Sequence, residues 1–209
     1  MRIAAFTTIG LVLALAAAPF MASDVGANAS VANGVDVAYA SVGGDTSIPY
    51  GWVEFCQRYR GECEASGKVA DVNLTEASMR EVHQVNTFVN HAVEAVSDME
   101  HWGVVDRWDL PMDGKGDCED YALMKRKLLI ERGYPRSALL VTVVRDEQNE
   151  GHAILTVKTN GGEFVLDNLT DEVKPVSRIA YRFVKRQSQQ DPNVWVALGP
   201  VSAQKFAAR

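Results

Sequence analysis

The sequence has few cysteines, no cluster of basic residues, and no long apolar run after its N-terminus. With 3 cysteines in 209 residues, the chain is not a disulfide-dense scaffold. Its formal net charge is −6, and its lysines and arginines are not interleaved with aromatic residues. Nucleic-acid-binding proteins usually show such a basic stretch, so we exclude nucleic acid as the main partner. A chain of this length can bury a sizeable core within one domain.

The apolar N-terminus has the features of an export signal. Arg2 supplies a positive start, residues 3–18 are rich in alanine and leucine, and Ala27-Asn28-Ala29 resembles a cleavage site. The alternative is an uncleaved anchor, but a membrane-spanning helix needs about 20 apolar residues and this run is shorter. We therefore expect residues 1–29 to be a signal peptide and the mature protein to be periplasmic or secreted.

Composition divides the rest of the chain. Residues 30–48 are rich in alanine, glycine, serine and asparagine, a composition typical of a flexible linker. Aromatic residues become frequent from Tyr50 and Trp52 onward. The expected organisation is therefore a linker over residues 30–48, one folded domain over residues 49–200, and a short tail over residues 201–209.

Helical periodicity comes first along the domain and strand-like patterns follow. Residues 74–96 carry apolar side chains at three- and four-residue spacing behind Thr75, an N-cap candidate, and this predicted stripe includes Phe88. Asn160-Gly161-Gly162 is typical of a hairpin turn. The order favours an α+β fold with N-terminal helices packed on an antiparallel sheet. The predicted strands span residues 138–144, 152–158, 163–167 and 194–198.

Cys118 stands at the start of another helix-patterned run. Asp117 is a good N-cap residue with Asp120 three positions on, and Gly133 followed by Pro135 ends the run. The positive end of a helix favours a thiolate, which is the nucleophilic form of cysteine. The alternative is an inert buried cysteine, since free cysteine is among the most buried residue types.

The other two cysteines, Cys56 and Cys63, lie close together in the chain. The oxidising compartment of an exported protein favours a local disulfide between them. A metal-binding pair is the alternative, but no second Cys/His pair stands at a suitable spacing. Cys118 would then be the odd thiol, which marks it as a reactive candidate.

The hairpin turn determines whether a histidine and an aspartate can meet. With a two-residue turn at Asn160-Gly161, Ile154 lies opposite Asp167, and His152 becomes a diagonal neighbour of Asp167 roughly 7–8 Å away at the backbone. A turn at Gly161-Gly162 would keep the two on one face but farther apart, and a three-residue loop would place them on opposite faces. If they meet, Asp167 can orient the His152 ring, which can deprotonate Cys118 for attack on a carbonyl. The alternative is a strand histidine in an ordinary polar network.

Three carboxylates surround the candidate nucleophile: Asp117, Glu119 and Asp120. Their charges raise the pKa of a neighbouring thiol and oppose the helix dipole. Either they form a solvated helix cap or they hold a hard cation, and oxygen ligands suit Ca²⁺. Consecutive helix positions point about 100° apart, so a calcium site here would need further ligands from a nearby loop.

Five segments of the chain form one recognisable pattern: Val85 to Asn90, Trp102-Gly103, Gly116 to Ala122, His152 and Val165 to Leu169. This pattern resembles the bacterial transglutaminase-like cysteine proteinases, a family that includes the LapG-type periplasmic proteases. The likeness covers about residues 50–198. It implies a papain-like core of the transglutaminase type, with Cys118, His152 and Asp167 as the catalytic triad.

The resemblance also implies a cofactor and partners. It implies that Asp117, Glu119 and Asp120 are calcium ligands, and that the substrate is a large surface adhesin. It further implies an inner-membrane receptor, responsive to cyclic di-GMP, that sequesters the protease. Two alternatives remain from the residues themselves: transglutaminase-type acyl transfer, in which an amine instead of water resolves the thioester, and a non-catalytic binding module on the same fold.

Overall fold

The computed structural model describes residues 37–65 and 67–204, so the expected signal peptide, residues 1–29, lies outside the described residues. The α-helices are α1 (Tyr50–Arg58), α2 (Glu76–Ala92), α3 (Asp98–His101) and α4 (Cys118–Glu131). The strands are β1 (Val37–Thr46), β2 (Glu94–Ala95), β3 (Lys115–Gly116), β4 (Leu139–Arg145), β5 (Gly151–Thr159), β6 (Gly162–Asp167), β7 (Thr170–Pro175), β8 (Arg182–Gln187) and β9 (Trp195–Gln204).

A seven-stranded antiparallel sheet organises the domain, in the order β1-β9-β8-β4-β5-β6-β7. Helices α2 and α4 contact each other, α4 packs on β5, and α2 packs on β7. Helices covering an antiparallel sheet confirm the expected α+β class. Among the described residues, no helix has the length and apolar content needed to cross a bilayer. The core between helices and sheet includes Val82, Val85, Val89, Tyr121, Leu129, Leu155, Val157 and Leu166.

Helix α2 begins as predicted and ends earlier. The Thr75 hydroxyl accepts a hydrogen bond from the Ser78 amide at 3.0 Å, and the Thr75 amide donates to the Ser78 hydroxyl at 2.9 Å, so the helix start is capped from both sides. The predicted core position of Phe88 is wrong, because its side chain is 59% exposed. At about 100° per residue, position 88 lies roughly 100° from the centre of the stripe formed by Val82, Val85 and Val89.

The expected linker over residues 30–48 is wrong from Val37 onward, and the expected tail over residues 201–209 is wrong up to Gln204. These segments are β1 and the end of β9, which pair with each other in antiparallel register. Ala38 and Ala40 alternate into the core beside Phe183. Segments rich in small side chains have the composition of a linker. Residues 37–46 form a strand because β9, which is distant in the sequence, pairs with them.

A second core of aromatic residues lies around α1. Trp52, Trp108 and Trp195 contact one another edge to face, with ring centroids 6.1–6.5 Å apart. The predicted disulfide is present: Cys56 and Cys63 are bonded, with Cα atoms 5.7 Å apart. The bond joins the end of α1 to the 3₁₀ turn that follows it.

Candidate active site

Helix α4 places Cys118 at its first position, as predicted. Asp117 is the N-cap residue, and its amide donates to Oδ2 of Asp120 at 3.4 Å. Gly116 allows the chain to pass close to that carboxylate, since a Cβ there would lie 2.6 Å from Asp120 Oδ2. After the last turn Gly133 adopts a positive φ of 89°, the conformation that ends many helices.

The surroundings of Cys118 oppose thiolate formation. Burial and then the charge and hydrogen bond of Glu119 raise the pKa of the Cys118 thiol well above its ordinary value, and the backbone N–H of Ala153 lowers it only in part. The thiol donates to Glu119 Oε2 at 3.1 Å. Desolvation and the adjacent carboxylates thus act against the helix dipole, which favours the thiolate.

His152 and Asp167 meet across the β5–β6 hairpin. Thr159 pairs with Gly162, so the turn consists of Asn160-Gly161, the two-residue case that the sequence permits. The resulting register brings His152 Nε2 to 2.9 Å from Asp167 Oδ1. Both side chains are buried. The hydrogen bond through Nε2 leaves Nδ1 as the ring nitrogen available for a second partner.

Asp167 is held as an anion by several donors. Its Oδ1 also accepts from the Leu169 amide at 3.1 Å, and its Oδ2 accepts from the Tyr181 hydroxyl at 2.8 Å. Burial alone would raise the pKa of Asp167, but the hydrogen bonds and charge of His152, together with those two donors, hold it below its ordinary value. The sequence contains no signal that points to Tyr181.

Cys118 approaches the histidine through the packing of α4 on β5. The backbone N–H that lowers the pKa of the Cys118 thiol belongs to Ala153, the residue that follows His152 on β5. Within residues 37–65 and 67–204, no hydrogen bond joins Cys118 to His152. The structure therefore places the three predicted residues at one location, with His152 and Asp167 bonded and Cys118 beside them.

The carboxylates near Cys118 form two overlapping clusters. Asp98, Asp117 and Asp120 have oxygen atoms within 4.8 Å of one another, and Asp117, Cys118 and Glu119 form a second group of the same size. The predicted set of Asp117, Glu119 and Asp120 is thus divided between two groups that share Asp117. Asp98, at the start of α3, was missed, since nothing in the sequence brings position 98 to position 117.

The first cluster fits a hard cation. Oδ1 of Asp117 is buried without a hydrogen-bond partner, which leaves one oxygen free to act as a ligand. In the second group, burial, and after it the charge of Asp117, raises the pKa of Glu119 to about 9. Burial also raises the pKa of Asp120 to about 8, and the charges of Asp117 and Asp98 add to this rise. A cation would offset these penalties, and an all-oxygen donor set suits Ca²⁺.

A helix that begins with a cysteine, packed on a strand pair carrying a buried His–Asp couple, is the arrangement of the transglutaminase-like thiol enzymes. The family model described as bacterial transglutaminase-like cysteine proteinase BTLCP matches residues 42–203. The chain belongs to this family of cysteine proteinases. A comparison with curated protein sequences finds no match.

One solved structure supports the fold, and two more are similar to this chain. Calcium-bound LapG from Legionella pneumophila is 26% identical, with a TM-score of 0.50, over 57% of this chain and 69% of that chain. LapG of the same organism in a second structure is 26% identical, with a TM-score of 0.49, over 57% and 68% of the two chains. EGTA-treated LapG is 24% identical, with a TM-score of 0.48, over 57% and 67%. The likeness to the calcium-bound structure confirms the expected transglutaminase-like fold.

Proposed function

We propose that this cysteine proteinase acts in the periplasm with Cys118, His152 and Asp167 as its catalytic triad. The observation that carries the proposal is the buried hydrogen bond of 2.9 Å between His152 Nε2 and Asp167 Oδ1, beside the helix start that holds Cys118. This bond fixes the histidine as the tautomer whose Nδ1 can accept a proton.

The chain's own residues account for each step of peptide cleavage. Nδ1 of His152 takes the Cys118 proton, and the thiolate attacks the scissile carbonyl to give a tetrahedral oxyanion. Backbone N–H groups in the first turn of α4 can donate to that oxyanion. The His152 imidazolium then protonates the leaving amine, a thioester forms, and water activated by His152 hydrolyses it to free acid and thiol.

The acidic clusters support calcium binding as part of the proposal. Asp98, Asp117 and Asp120 would hold the ion, with Glu119 adjacent through Asp117. The similar LapG structure is calcium-bound. When bound, Ca²⁺ supplies positive charge that stabilises these carboxylates and removes their upward effect on the pKa of the Cys118 thiol.

The sequence also supports a compartment and a substrate as part of the proposal. Residues 1–29 resemble an export signal, and the disulfide between Cys56 and Cys63 agrees with an oxidising compartment. The family resemblance supports a large surface adhesin as the protein substrate, and an inner-membrane receptor responsive to cyclic di-GMP as the regulatory partner.

The test compares cells producing the wild-type protein with cells producing Cys118→Ala. A mass-spectrometric survey of surface and secreted proteins should find substrate fragments only with the wild type. Cys118→Ser is a second variant with nearly the same volume, and it should also be inactive. Purified protein is then assayed for peptide cleavage and for incorporation of a primary amine. Normal cleavage by Cys118→Ala would overturn the triad, and amine incorporation without cleavage would assign the site to acyl transfer.

A further inference from the structure

Tyr181 supports the catalytic dyad from the side of β8. It directly precedes that strand, and its hydroxyl donates to Asp167 Oδ2 at 2.8 Å. Its ring also meets the imidazole of His152 edge to face, with centroids 5.7 Å apart and planes at 89°. One side chain therefore contacts both members of the His–Asp couple.

We propose that Tyr181 is a positioning residue of this site, which keeps Asp167 anionic and oriented and confines the His152 ring. The proposal rests on the function proposed above. Tyr181 does not contact the reacting atoms in this scheme, and its influence reaches Cys118 through the other two residues.

The hydrogen bonds of the Asp167 carboxylate support this role. Oδ1 of Asp167 accepts from His152 and from the Leu169 amide, whereas the Tyr181 hydroxyl is the partner of Oδ2 among the described residues. Asp167 is 2% exposed, so bulk water cannot replace a missing donor without a structural change. Loss of the hydroxyl would leave a buried charged oxygen unsatisfied and allow the carboxylate to rotate away from His152.

The hydroxyl can be removed without altering the surrounding shape. The ring of Tyr181 lines a groove of about 400 Å³ together with Phe183, Leu198 and Val201. Phenylalanine at position 181 preserves this lining and the ring contact with His152. A change in activity of Tyr181→Phe would thus report the hydrogen bond to Asp167.

The experiment measures kcat, KM and the pKa of His152 in Tyr181→Phe. We expect kcat to fall about 10-fold with KM unchanged, the order of effect for one hydrogen bond to a charged group. NMR titration of His152, in a Cys118→Ala background, should show a higher pKa. Without the Tyr181 hydroxyl, the negative charge of the Asp167 carboxylate is less delocalised and stabilises the His152 imidazolium more strongly. The acidic limb of the pH–rate profile, where the general base loses its proton, should move upward with it.

Tyr134→Phe is the matched control. Tyr134 is also half-buried, and its hydroxyl donates to a carboxylate, Glu81 Oε2, at 2.9 Å. Removing it should leave kcat and the His152 pKa unchanged. Difluorotyrosine at position 181 retains the ring and, while its hydroxyl is protonated, donates more strongly, so it should lower the His152 pKa.

The outcomes separate the two proposals. Wild-type kcat and an unchanged His152 pKa in Tyr181→Phe would overturn the role of Tyr181. A second result would do the same: activity that falls only in proportion to the loss of folding stability, with the His152 pKa unchanged in both variants at position 181. Cleavage that persists in Cys118→Ala would instead overturn the proposed function.

Discussion

Ile154 on β5 is the position opposite Asp167, one step beyond the pair Leu155–Leu166 that the hairpin register establishes. The two-residue turn thus places His152 and Asp167 on the same face of the sheet, where they form their hydrogen bond of 2.9 Å. A shift of one residue would separate them, because alternate residues of a strand face opposite sides.

The first prediction concerns this dyad. His152→Ala should abolish measurable cleavage, and Asp167→Asn should reduce kcat by about 10²–10⁴-fold, because an amide stabilises the wrong tautomer of the histidine. Steady-state kinetics on purified variants measure both. His83→Ala, an exposed histidine on α2, is the control and should retain full activity. Unchanged kinetics in His152→Ala would remove the general base from the mechanism.

The second prediction concerns calcium. Asp98→Asn and Asp120→Asn should each weaken Ca²⁺ binding in calorimetry, since the two residues share a cluster with Asp117. Ca²⁺ at about 100 times its Kd should stabilise the wild type by about 2.7 kcal/mol, a Tm rise of about 5–10 °C. Mg²⁺ should substitute poorly because it requires tighter octahedral geometry.

Asp45→Asn provides the comparison for calcium, since Asp45 is an exposed carboxylate on β1. It should bind Ca²⁺ like the wild type. Full activity in excess chelator, together with no heat of Ca²⁺ binding, would identify the acidic cluster as a helix cap without a metal.

The third prediction concerns the disulfide. Cys56 and Cys63 are separated by 7 positions, so the bond closes a short loop and should contribute about 2–3 kcal/mol. The double variant Cys56→Ala/Cys63→Ala should therefore unfold about 5–10 °C below the wild type while it keeps its activity. Thiol counting by mass spectrometry on non-reduced protein should find one reactive thiol, Cys118, and a count of three would contradict the bond.

The fourth prediction concerns a buried lysine in α4. Lys125 is fully buried, and its ammonium has no hydrogen-bond partner among the described residues. Burial lowers its pKa to about 7, although the charges of Asp167 and Asp171 act in the opposite direction. An unfolded lysine has a pKa of about 10.4, so between pH 7 and pH 10 the unfolded chain binds a proton that the folded chain does not, and this residue makes stability rise with pH.

Lys125→Met should remove this rise of folding stability with pH. In urea unfolding, the free energy of unfolding of Lys125→Met should exceed that of the wild type by the order of a few kcal/mol at pH 7 and below. This difference should shrink toward pH 10. Lys127→Met is the control, because the hydrogen bond to Glu131 raises the pKa of the partly exposed Lys127. If the difference in free energy of unfolding between Lys125→Met and the wild type stays constant from pH 6 to pH 10, the charge of Lys125 does not destabilise the folded protein.

Local patterns predicted the parts of the site that lie within one element. Asp117, Cys118 and Gly133 marked the ends of α4. An apolar run marked β4, alternation marked β5, and the hairpin turn marked β6. These predictions succeed because capping, turn chemistry and side-chain alternation act over a few residues. The same reasoning failed for β1, whose alanines and glycines carry no strong alternation, and for Phe88, which lies at the edge of its helical stripe.

The sequence by itself determined the place of Cys118 at a helix start, the turn that permits His152 to meet Asp167, and the pairing of Cys56 with Cys63. Only the tertiary structure decided that Asp98 joins Asp117 and Asp120, that Tyr181 donates to Asp167, and that residues 37–46 complete the sheet. These contacts join residues far apart in the chain, and their formation depends on the packing of whole elements. Long-range packing of this kind leaves no periodic trace in one sequence.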